Sequence, residues 1–243
     1  MTIVAIHQPN YVPWLGYFRK ILACDTFVFF DNVQMPMGKS YVSRSAVKLP
    51  SGSHWLTVPT IKSGPLTLIK DAKIVPGPWG RKHLATLTSA YGGSRWLRPV
   101  IGLLEDALGQ KHELIADLNI QIIRAISEFL APDRVKFVRA SAMRHGLSNA
   151  NSIAPILTEL GAATYLTGSG AGSMRYLDVD NLKLLGIETR FINNEFATYP
   201  QRHGDFLPGL SVLDALLNCG PEAVLALLNE AENVPAAAMR PVS

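Results

Sequence analysis

Short apolar runs and helical stretches alternate along most of this chain, and their order indicates an α/β fold. Near the start, Ile3–Ile6 is a β-branched run, Trp14–Ala23 has helical spacing and Thr26–Phe30 is a second apolar strand. The later predicted elements are strands at Lys136–Ala140, Thr164–Thr167 and Glu188–Ile192 and helices at Asn151–Leu160 and Asp178–Leu185. Such alternation is typical of a mainly parallel sheet covered by helices.

Between these two groups the pattern changes, which indicates an insertion after the second strand. Three extended segments separated by Pro- and Gly-containing turns predict hairpins, at Tyr41–Leu49, His54–Ile61 and Leu66–Val75. From Trp79 to about Leu130, apolar residues recur at spacings of three and four, which predicts helices interrupted at Gly92-Gly93 and around Gly109. We therefore expect an α/β fold with a β-hairpin and helical insertion.

The end of the chain is predicted to form two helices followed by a flexible tail. Two helices are expected at Leu210–Asn218 and Pro221–Glu230, with Gly220-Pro221 between them. The expected domain organisation is one α/β catalytic domain over residues 1–233, followed by a flexible C-terminal tail over residues 234–243.

The composition favours a folded protein that does not enter membranes. Apolar residues make up 48% of the chain and charged residues only 17%, which excludes global disorder. No apolar run approaches the roughly 18 residues of a membrane span, and the N-terminus lacks the features of a secretory signal. The expected location is the cytoplasm. Cys24 and Cys219 are far apart and outside any CxxC motif, so neither a disulfide framework nor a thiolate metal site is indicated.

The charges and histidines exclude two further classes. The 23 basic and 19 acidic residues give a net charge of +4, but the basic residues are scattered, so no nucleic-acid partner is expected. The six histidines show neither H-x-x-x-H nor H-x-H spacing. We therefore expect no metal site and no cofactor.

The densest group of functional side chains lies where the first strand ends and the first helix begins. In open α/β sheets this edge forms the crevice that receives ligands. His7 emerges there and is predicted to exchange a proton with the substrate. The predicted substrate-binding residues beside it are Gln8, Asn10, Tyr11 and Trp14. The alternative is that His7 and Gln8 satisfy buried backbone groups and that Trp14 packs in the core.

The second strand is followed by a matching group. If strands one and two are parallel neighbours, Asp31 ends beside His7 and orients the imidazole or holds a substrate amine. Gln34, Lys39 and Arg44 follow as candidate substrate-binding residues, and Arg44 offers a planar fork for a carboxylate or phosphate. Solvated strand charge is the alternative for Lys39 and Arg44.

Two later clusters complete the candidate site. The glycine-rich turn at residues 168–173 brings backbone amides near a ligand, with Ser169 and Tyr176 as candidates, although it matches no phosphate-binding motif and is equally consistent with an ordinary tight connection. Ser169 is not in a G-x-S-x-G elbow, so a hydrolase triad is not indicated. Tyr199 and Gln201 form the last candidate pair, while Ser211 and Asp214 have the spacing of a helix capping box.

Together these clusters resemble the WbqC-like protein family, over nearly the whole chain. The residues that carry the resemblance are His7 to Tyr11, Pro13-Trp14-x-Gly16-Tyr17-Phe18, Asp31-x-Val33-Gln34, Lys39, Arg44, Trp55 to Pro59, Tyr91, Tyr165-Leu166, Tyr176-Leu177, Tyr199-Pro200-Gln201, Phe206-x-Pro208, Leu210 to Asp214 and Asn218-Cys219-Gly220. One departure is Ser43, which stands where an Asn usually precedes the arginine.

The resemblance implies a transferase by association. Members are associated with polysaccharide and natural-product gene sets, beside enzymes that make, acylate or transfer amino compounds. The first strand-helix unit is also similar to nucleotidyltransferases of the H-x-G-H type, but Tyr17 or Phe18 stands near the place of the second histidine.

The leading hypothesis is acyl or aminoacyl transfer from a thioester donor, linked to CoA or to a carrier protein, to a small amine. His7 deprotonates the amine, Lys39 and Arg44 receive phosphate or carboxylate, and a glutamine donates to the developing oxyanion. The candidate glutamines are Gln8, Gln34 and Gln201. Since neither cysteine has an activating context, direct transfer is expected. The alternatives are a nucleotidyltransferase that uses Mg²⁺ and a nucleoside triphosphate, and a non-catalytic binding module.

Overall fold

A computed structural model describes residues 1–61, 64, 66–144, 152–229 and 233–235 of the chain. Its strands are β1 (Ile3–His7), β2 (Thr26–Phe29), β3 (Arg44–Leu49), β4 (Gly52–Thr57), β5 (Thr60–Ile61), β6 (Lys73–Ile74), β7 (Lys136–Arg139), β8 (Thr164–Thr167), β9 (Glu188–Ile192) and β10 (Asn233–Pro235). Its α-helices are α1 (Leu15–Leu22), α2 (Trp79–Tyr91), α3 (Leu97–Gly109), α4 (Ile115–Leu130), α5 (Ala154–Glu159), α6 (Ala171–Met174), α7 (Val179–Leu184), α8 (Val212–Cys219) and α9 (Pro221–Asn229).

The main sheet confirms the predicted α/β class. Its strand order is β10-β9-β8-β1-β2-β7, and every neighbouring pair is parallel except the pair of β10 with β9. The four residues of β2 are all buried, as expected of a strand covered on both faces. After β1 the chain runs through β2 and β7 on one side and then crosses to β8 and β9 on the other. The switch point of the topology therefore lies between β1 and β8.

The insertion between β2 and β7 contains the predicted hairpins and helices. β3 and β4 pair antiparallel over six residues, β5 pairs with β6, and helices α2, α3 and α4 follow. The apolar face of α4 packs against α1, α3 and α9, which joins the insertion to the core of the sheet domain. The segment Leu66–Val75 differs from its extended prediction, because Ile69–Asp71 form a 3₁₀ turn and only Lys73 and Ile74 are in a strand.

The end of the described chain also differs from the prediction. Val234 and Pro235, which the sequence places in a loose tail, pair antiparallel with β9. The remainder of the predicted tail, residues 236–243, lies outside the described residues. So do Asn151, where the predicted helix Asn151–Leu160 begins, and Glu230, where the predicted helix Pro221–Glu230 ends.

Within the part of the chain that the structure describes, no helix combines the length and the apolar composition that crossing a bilayer requires.

Candidate active site

A cavity of about 480 Å³ lies at the carboxyl ends of β1 and β8. This is the switch point of the sheet, where open α/β folds bind their ligands. The volume of the cavity is in the range of about 300–1,000 Å³ that is usual for small-molecule sites. Polar side chains from four separate segments face it: His7, Gln8, Asn10, Lys20, Lys39 and Asn194. The structure thus brings together groups that lie up to 187 positions apart in the sequence.

The chemically distinctive contact in this cavity joins His7 to Lys20. Nδ1 of His7 lies 3.2 Å from Nζ of Lys20, which projects from α1. Burial, reinforced by the Lys20 charge, lowers the pKa of His7 well below 6.5, so the imidazole is neutral at cellular pH. Burial likewise lowers the pKa of Lys20 to about 8. The contact therefore joins a neutral imidazole to an amine that loses its proton near physiological pH.

The aromatic rings of Trp14 and Tyr17 hold the imidazole in place. Their ring centroids lie 5.8 Å and 4.7 Å from that of His7. The Tyr17 hydroxyl donates to the carbonyl of Gln8 at 2.9 Å and accepts from the backbone N–H of Asn10. Tyr17 therefore fixes both the histidine ring and the backbone that follows it.

The loop between β1 and α1 is also tied to the insertion. Asn119 of α4 is fully buried and donates from Nδ2 to the carbonyls of Pro9 and Val42, at 2.9 Å and 2.8 Å. The N–H of Tyr11 donates to the carbonyl of Tyr41 at 2.9 Å. These bonds join the loop to the segment that carries Lys39 to Tyr41, and both contribute residues to the cavity lining.

Val12 in this loop adopts a φ of 38°, a left-handed conformation that is strained for a β-branched residue. Its carbonyl accepts from the Ser45 hydroxyl at 2.6 Å and from the Ser211 hydroxyl at 2.9 Å. Ser211 also accepts from the N–H of Leu213, so it caps α8 as predicted. Two hydroxyl groups from distant segments thus stabilise the strained turn beside the cavity.

Asn194 reaches the cavity because Gly16 has no side chain. A Cβ at Gly16 would overlap Asn194 Oδ1 and would lie 2.9 Å from Trp14 Nε1. The loop that carries Asn194 is held from below by buried Arg19, which donates to the carbonyls of Asn193 and Glu195 at 2.9 Å and 2.7 Å. Arg19 therefore positions Asn194 without contacting the cavity.

Six of the predicted site residues line the cavity: His7, Gln8, Asn10, Trp14, Lys39 and Tyr176. Tyr176 contacts Phe30 with ring centroids 5.2 Å apart, which closes the wall next to the glycine-rich turn. Gly168, Gly170, Gly172 and Ser173 of that turn line the cavity, whereas Ser169 is exposed and does not.

Asp31 does not make the predicted contact with His7. β1 and β2 are parallel neighbours as expected, with His7 opposite Phe29, but the Asp31 carboxylate turns toward β7. It accepts from Nε of Arg139 at 2.8 Å and from the N–H and hydroxyl of Ser141 at 2.9 Å and 2.7 Å. Because β2 lies between β1 and β7, an acid that follows β2 can turn toward either strand. Here Asp31 turns toward β7, where it forms an ion pair with Arg139. The structure gives Asp31 the role of holding the chain after β7.

Tyr199 and Gln201, the last pair of predicted site residues, do not line this cavity. The Tyr199 hydroxyl donates to Oδ2 of buried Asp214 at 2.8 Å, and the Tyr91 hydroxyl donates to Oδ1 at 2.6 Å. Gln201 bonds the backbone of Leu207 in both directions. Asp214 is therefore the acceptor of two tyrosines and not the second half of a capping box with Ser211.

Three other predicted residues lie outside the cavity lining. The Tyr11 hydroxyl is hydrogen-bonded to Nδ1 of buried His83 at 2.9 Å. The Arg44 guanidinium stacks on Trp55, 3.9 Å from the ring centroid. Gln34 is exposed and forms an isolated bridge with Leu68.

Neither cysteine lies in the cavity lining. Burial raises the pKa of the Cys24 thiol to about 12, and it donates to the carbonyl of Ile21. Cys219 is half-buried, and burial raises the pKa of its thiol as well. Among the described residues, no cluster of three or more His, Cys, Asp or Glu has the arrangement of a metal site. The polar residues of the cavity lining include His7, two lysines, residues with side-chain amides, and serines and tyrosines with hydroxyl groups.

The sequence interpretation missed Lys20 and Asn194. Lys20 lies one helical turn after Gly16, so both are on the same face of α1, but a lysine in a short amphipathic helix usually faces solvent. Asn194 follows the end of β9 by two residues, just as Asp31 follows the end of β2. Polar residues directly after a parallel strand are candidates for the crevice, and this rule also predicts Asn194.

Comparisons with known proteins agree with the resemblance seen in the sequence. The chain is similar to the uncharacterized protein Rv1507c of Mycobacterium tuberculosis, with 29% identity over 234 residues that cover 92% of this chain and 96% of that protein. No solved structure matches it. The model of the WbqC-like protein family matches residues 8–226, from the residue after His7 to the middle of α9. The chain therefore belongs to the WbqC-like protein family.

Proposed function

We propose that this protein is a transferase that forms an amide by moving an acyl or aminoacyl group from a thioester donor to a small amine. The observation that carries the proposal is the 3.2 Å contact between His7 and Lys20 at the wall of the cavity. An ammonium ion has no free electron pair, so amide formation requires a base that removes a proton from the attacking amine.

The pair supplies such a base. When Lys20 is neutral, Nδ1–H of His7 donates to Nζ, which leaves Nε2 free to accept a proton from the substrate amine. The amine nitrogen then forms the C–N bond, the C–S bond of the thioester breaks, and the departing thiolate takes up a proton. The lowered pKa values of both groups make this protonation state accessible near pH 8.

The cavity also provides donors for the negative charge that develops on the carbonyl oxygen. Asn10 and Asn194 present side-chain amides, and Gln8 lies beside His7. Removal of one such donor typically lowers kcat by about 10²- to 10³-fold. Direct transfer is proposed, because neither thiol lines the cavity and burial raises the pKa of both.

The proposed setting is a bacterial biosynthetic pathway for a natural product or a surface polysaccharide, as the family resemblance implies. The cytoplasm is the proposed location because activated thioesters are made there.

The experiment is a transfer assay with purified protein and a panel of acyl and aminoacyl thioesters of CoA and of a carrier protein, each offered with simple amines. Thiol release is followed with a chromogenic reagent, and the amide is identified by mass spectrometry. We expect His7→Ala to lower turnover by about 10²- to 10⁴-fold. The matched control is His54→Ala, since His54 is exposed on β4 and outside the cavity.

Two results would contradict the proposal. One is that no thioester in the panel yields an amide above the uncatalysed rate. The other is that His7→Ala and His54→Ala retain equal activity, which would favour a binding protein without catalytic function.

A further inference from the structure

An aromatic path leads from the cavity to the surface of the hairpin. The ring centroids of Trp14 and Tyr41 lie 5.3 Å apart, and those of Tyr41 and Trp55 lie 5.9 Å apart. Trp14 and Tyr41 line the cavity, whereas Trp55 lies on β4 beyond its lining. We call these three residues the aromatic mouth.

The outer part of the aromatic mouth is open to solvent. Tyr41 is 50% exposed and Trp55 is 38% exposed, although each is in contact with another aromatic ring. Adjacent exposed aromatic side chains leave apolar surface in water, and such patches commonly mark binding sites. Because this patch continues into the cavity, its ligand is expected to enter the cavity as well.

Two positive charges accompany the rings. The Arg44 guanidinium stacks on Trp55 at 3.9 Å from the ring centroid, and its Nε is buried without a hydrogen-bond partner. Within the described chain, no carboxylate forms an ion pair with Arg44 or with Lys39, which is exposed and lines the cavity. A stacked guanidinium keeps the donors at its edge available for the oxygens of a phosphate.

We propose that the aromatic mouth, with Arg44 and Lys39, binds the nucleotide part of the activated donor while the thioester arm extends into the cavity toward His7. This inference rests on the proposed function, because it names the donor of that reaction. The base stacks on the exposed rings of Tyr41 and Trp55, and the phosphates pair with the two positive charges.

The combination of features selects this class of ligand. A sugar ring also packs on aromatic side chains, but an uncharged sugar leaves Arg44 and Lys39 without partners. A free anion satisfies the charges but leaves the rings exposed. Three ring contacts of less than 6 Å separate His7 from Trp55, so a ligand that reaches both is elongated, with a reactive arm distant from its planar end.

The test compares the binding of coenzyme A with that of pantetheine, which carries the same thiol arm without the nucleotide. Isothermal titration calorimetry on the full chain gives both values of Kd. We expect coenzyme A to bind at least 10-fold more tightly, since one stacked base typically contributes a 5- to 100-fold difference. We also expect this preference to decrease as salt is raised, because part of it is electrostatic.

Variants of the aromatic mouth test which residues cause coenzyme A to bind more tightly than pantetheine. Trp55→Leu keeps an apolar side chain but has no aromatic face, so we expect it to bind coenzyme A about 10-fold more weakly, while Trp55→Tyr retains most of the affinity. Arg44→Ala is expected to weaken coenzyme A binding and to leave pantetheine binding unchanged. Arg81→Ala is the matched control, because Arg81 is exposed on α2 away from the cavity.

A third ligand, adenosine triphosphate, distinguishes the sources of the nucleotide. If it binds and Trp55→Leu weakens that binding while coenzyme A shows no preference over pantetheine, nucleotide recognition holds and the donor is a nucleotide other than coenzyme A. If neither Trp55→Leu nor Arg44→Ala changes the Kd of coenzyme A or of adenosine triphosphate, the inference is overturned.

These results are independent of turnover. Amide formation from carrier-protein thioesters, with no nucleotide preference in binding, would retain the proposed function and reject the nucleotide site. Nucleotide binding that depends on Trp55 and Arg44, without amide formation, would retain the site and reject the proposed transfer.

Discussion

Nζ of Lys20 lies 3.2 Å from Nδ1 of His7, and the charge of the lysine is one cause of the lowered pKa of the histidine. In the proposed reaction the two groups act as a relay: Nε2 of His7 takes the proton of the substrate amine, and neutral Lys20 accepts the proton of Nδ1. The lysine comes from a helix and the histidine from the end of a strand, so their contact depends on how α1 packs on the sheet.

The pH dependence of amide formation follows from this contact. Lys20 is protonated below its pKa of about 8 and then cannot accept from Nδ1–H, so we expect kcat/KM to rise through pH 8 and to level off above it. In Lys20→Met this rise is expected to disappear and kcat to fall at least 100-fold. A Lys183→Met variant, altered on the exposed face of α7, should keep the wild-type profile. An unchanged profile in Lys20→Met would contradict the relay.

Lys20 is also expected to lower the stability of the folded chain at neutral pH. Its pKa in the folded state, about 8, is below the ordinary 10.5, so the unfolded chain binds more protons between these values and stability rises with pH across that window. The shift corresponds to up to about 3 kcal/mol at pH 7. We therefore expect Lys20→Met to stabilise the protein at pH 7 and to lose this advantage by pH 10. Urea denaturation of both proteins at each pH measures the difference.

Lys48 provides a contrasting buried lysine. Its Nζ donates to the carbonyls of Gly204 and Asp205 and to Oε1 of Gln201. Lys48→Met leaves these acceptors without a donor, and we expect a loss of about 3 kcal/mol in the free energy of unfolding. If Lys20→Met and Lys48→Met changed the free energy of unfolding in the same direction, the expected contrast would be contradicted. That contrast is between a lysine in the cavity and one whose Nζ donates to three acceptors.

Asp31 is expected to matter for stability and not for proton transfer. Asp31→Asn replaces one acceptor oxygen by an NH₂ group that faces the donors of Arg139 and Ser141, at a cost of about 2–4 kcal/mol in unfolding free energy. The pH dependence of kcat should stay that of the wild type. A displaced pH profile in Asp31→Asn would show that the acid acts on His7 after all. Denaturation and the pH series on one preparation give both results.

The two tyrosines that share Asp214 are expected to act as a unit. Burial raises the pKa of this carboxyl, while hydrogen bonds from Tyr91 and Tyr199 favour its charged form. Tyr91→Phe and Tyr199→Phe should each cost about 2 kcal/mol, as expected of hydrogen bonds to a charged group. Because the second loss leaves the acid without either donor, the double variant should deviate from the sum of the two single variants. Strict additivity in urea denaturation would argue against the shared acceptor.

Gly16 is expected to determine the shape of the cavity. A methyl group at this position overlaps Asn194 Oδ1, so Gly16→Ala should displace Asn194 and reduce kcat/KM about 10-fold or more. Gly102→Ala is the control: it lies in α3 with no atom near the new methyl group, and it should raise helix stability by up to about 1 kcal/mol. Equal activity in both variants would show that Asn194 has no part in the site.

The sequence predicts the sheet and the insertion better than the side-chain network. β-branched runs and helical spacing identify β1, β2 and most later elements, and the position of His7 at the end of a strand predicts its place at the crevice. The partner of an acid is not encoded locally. Asp31 follows β2 directly, but whether it turns toward β1 or β7 depends on an arginine 108 residues away.

The same limit explains the errors at Tyr199 and Gln201. Their polar groups are compatible with a ligand, yet they are taken up by Asp214 and by the backbone of Leu207. Lys20 shows the opposite case. The helix pattern favours a solvent-exposed lysine, but the side chain is only 2% exposed and lines the cavity. Only packing determines which polar residues become buried.

The carbonyl of Val12 has a consequence for the order in which the molecule is assembled during synthesis. Its two hydroxyl partners, Ser45 and Ser211, belong to segments that leave the ribosome at very different times. The unfavourable turn has its full support only after the region around residue 211 has emerged. A nascent chain that ends before that region therefore lacks the second hydroxyl partner of this turn, and the loop beside the cavity is complete only when both ends of the polypeptide are present.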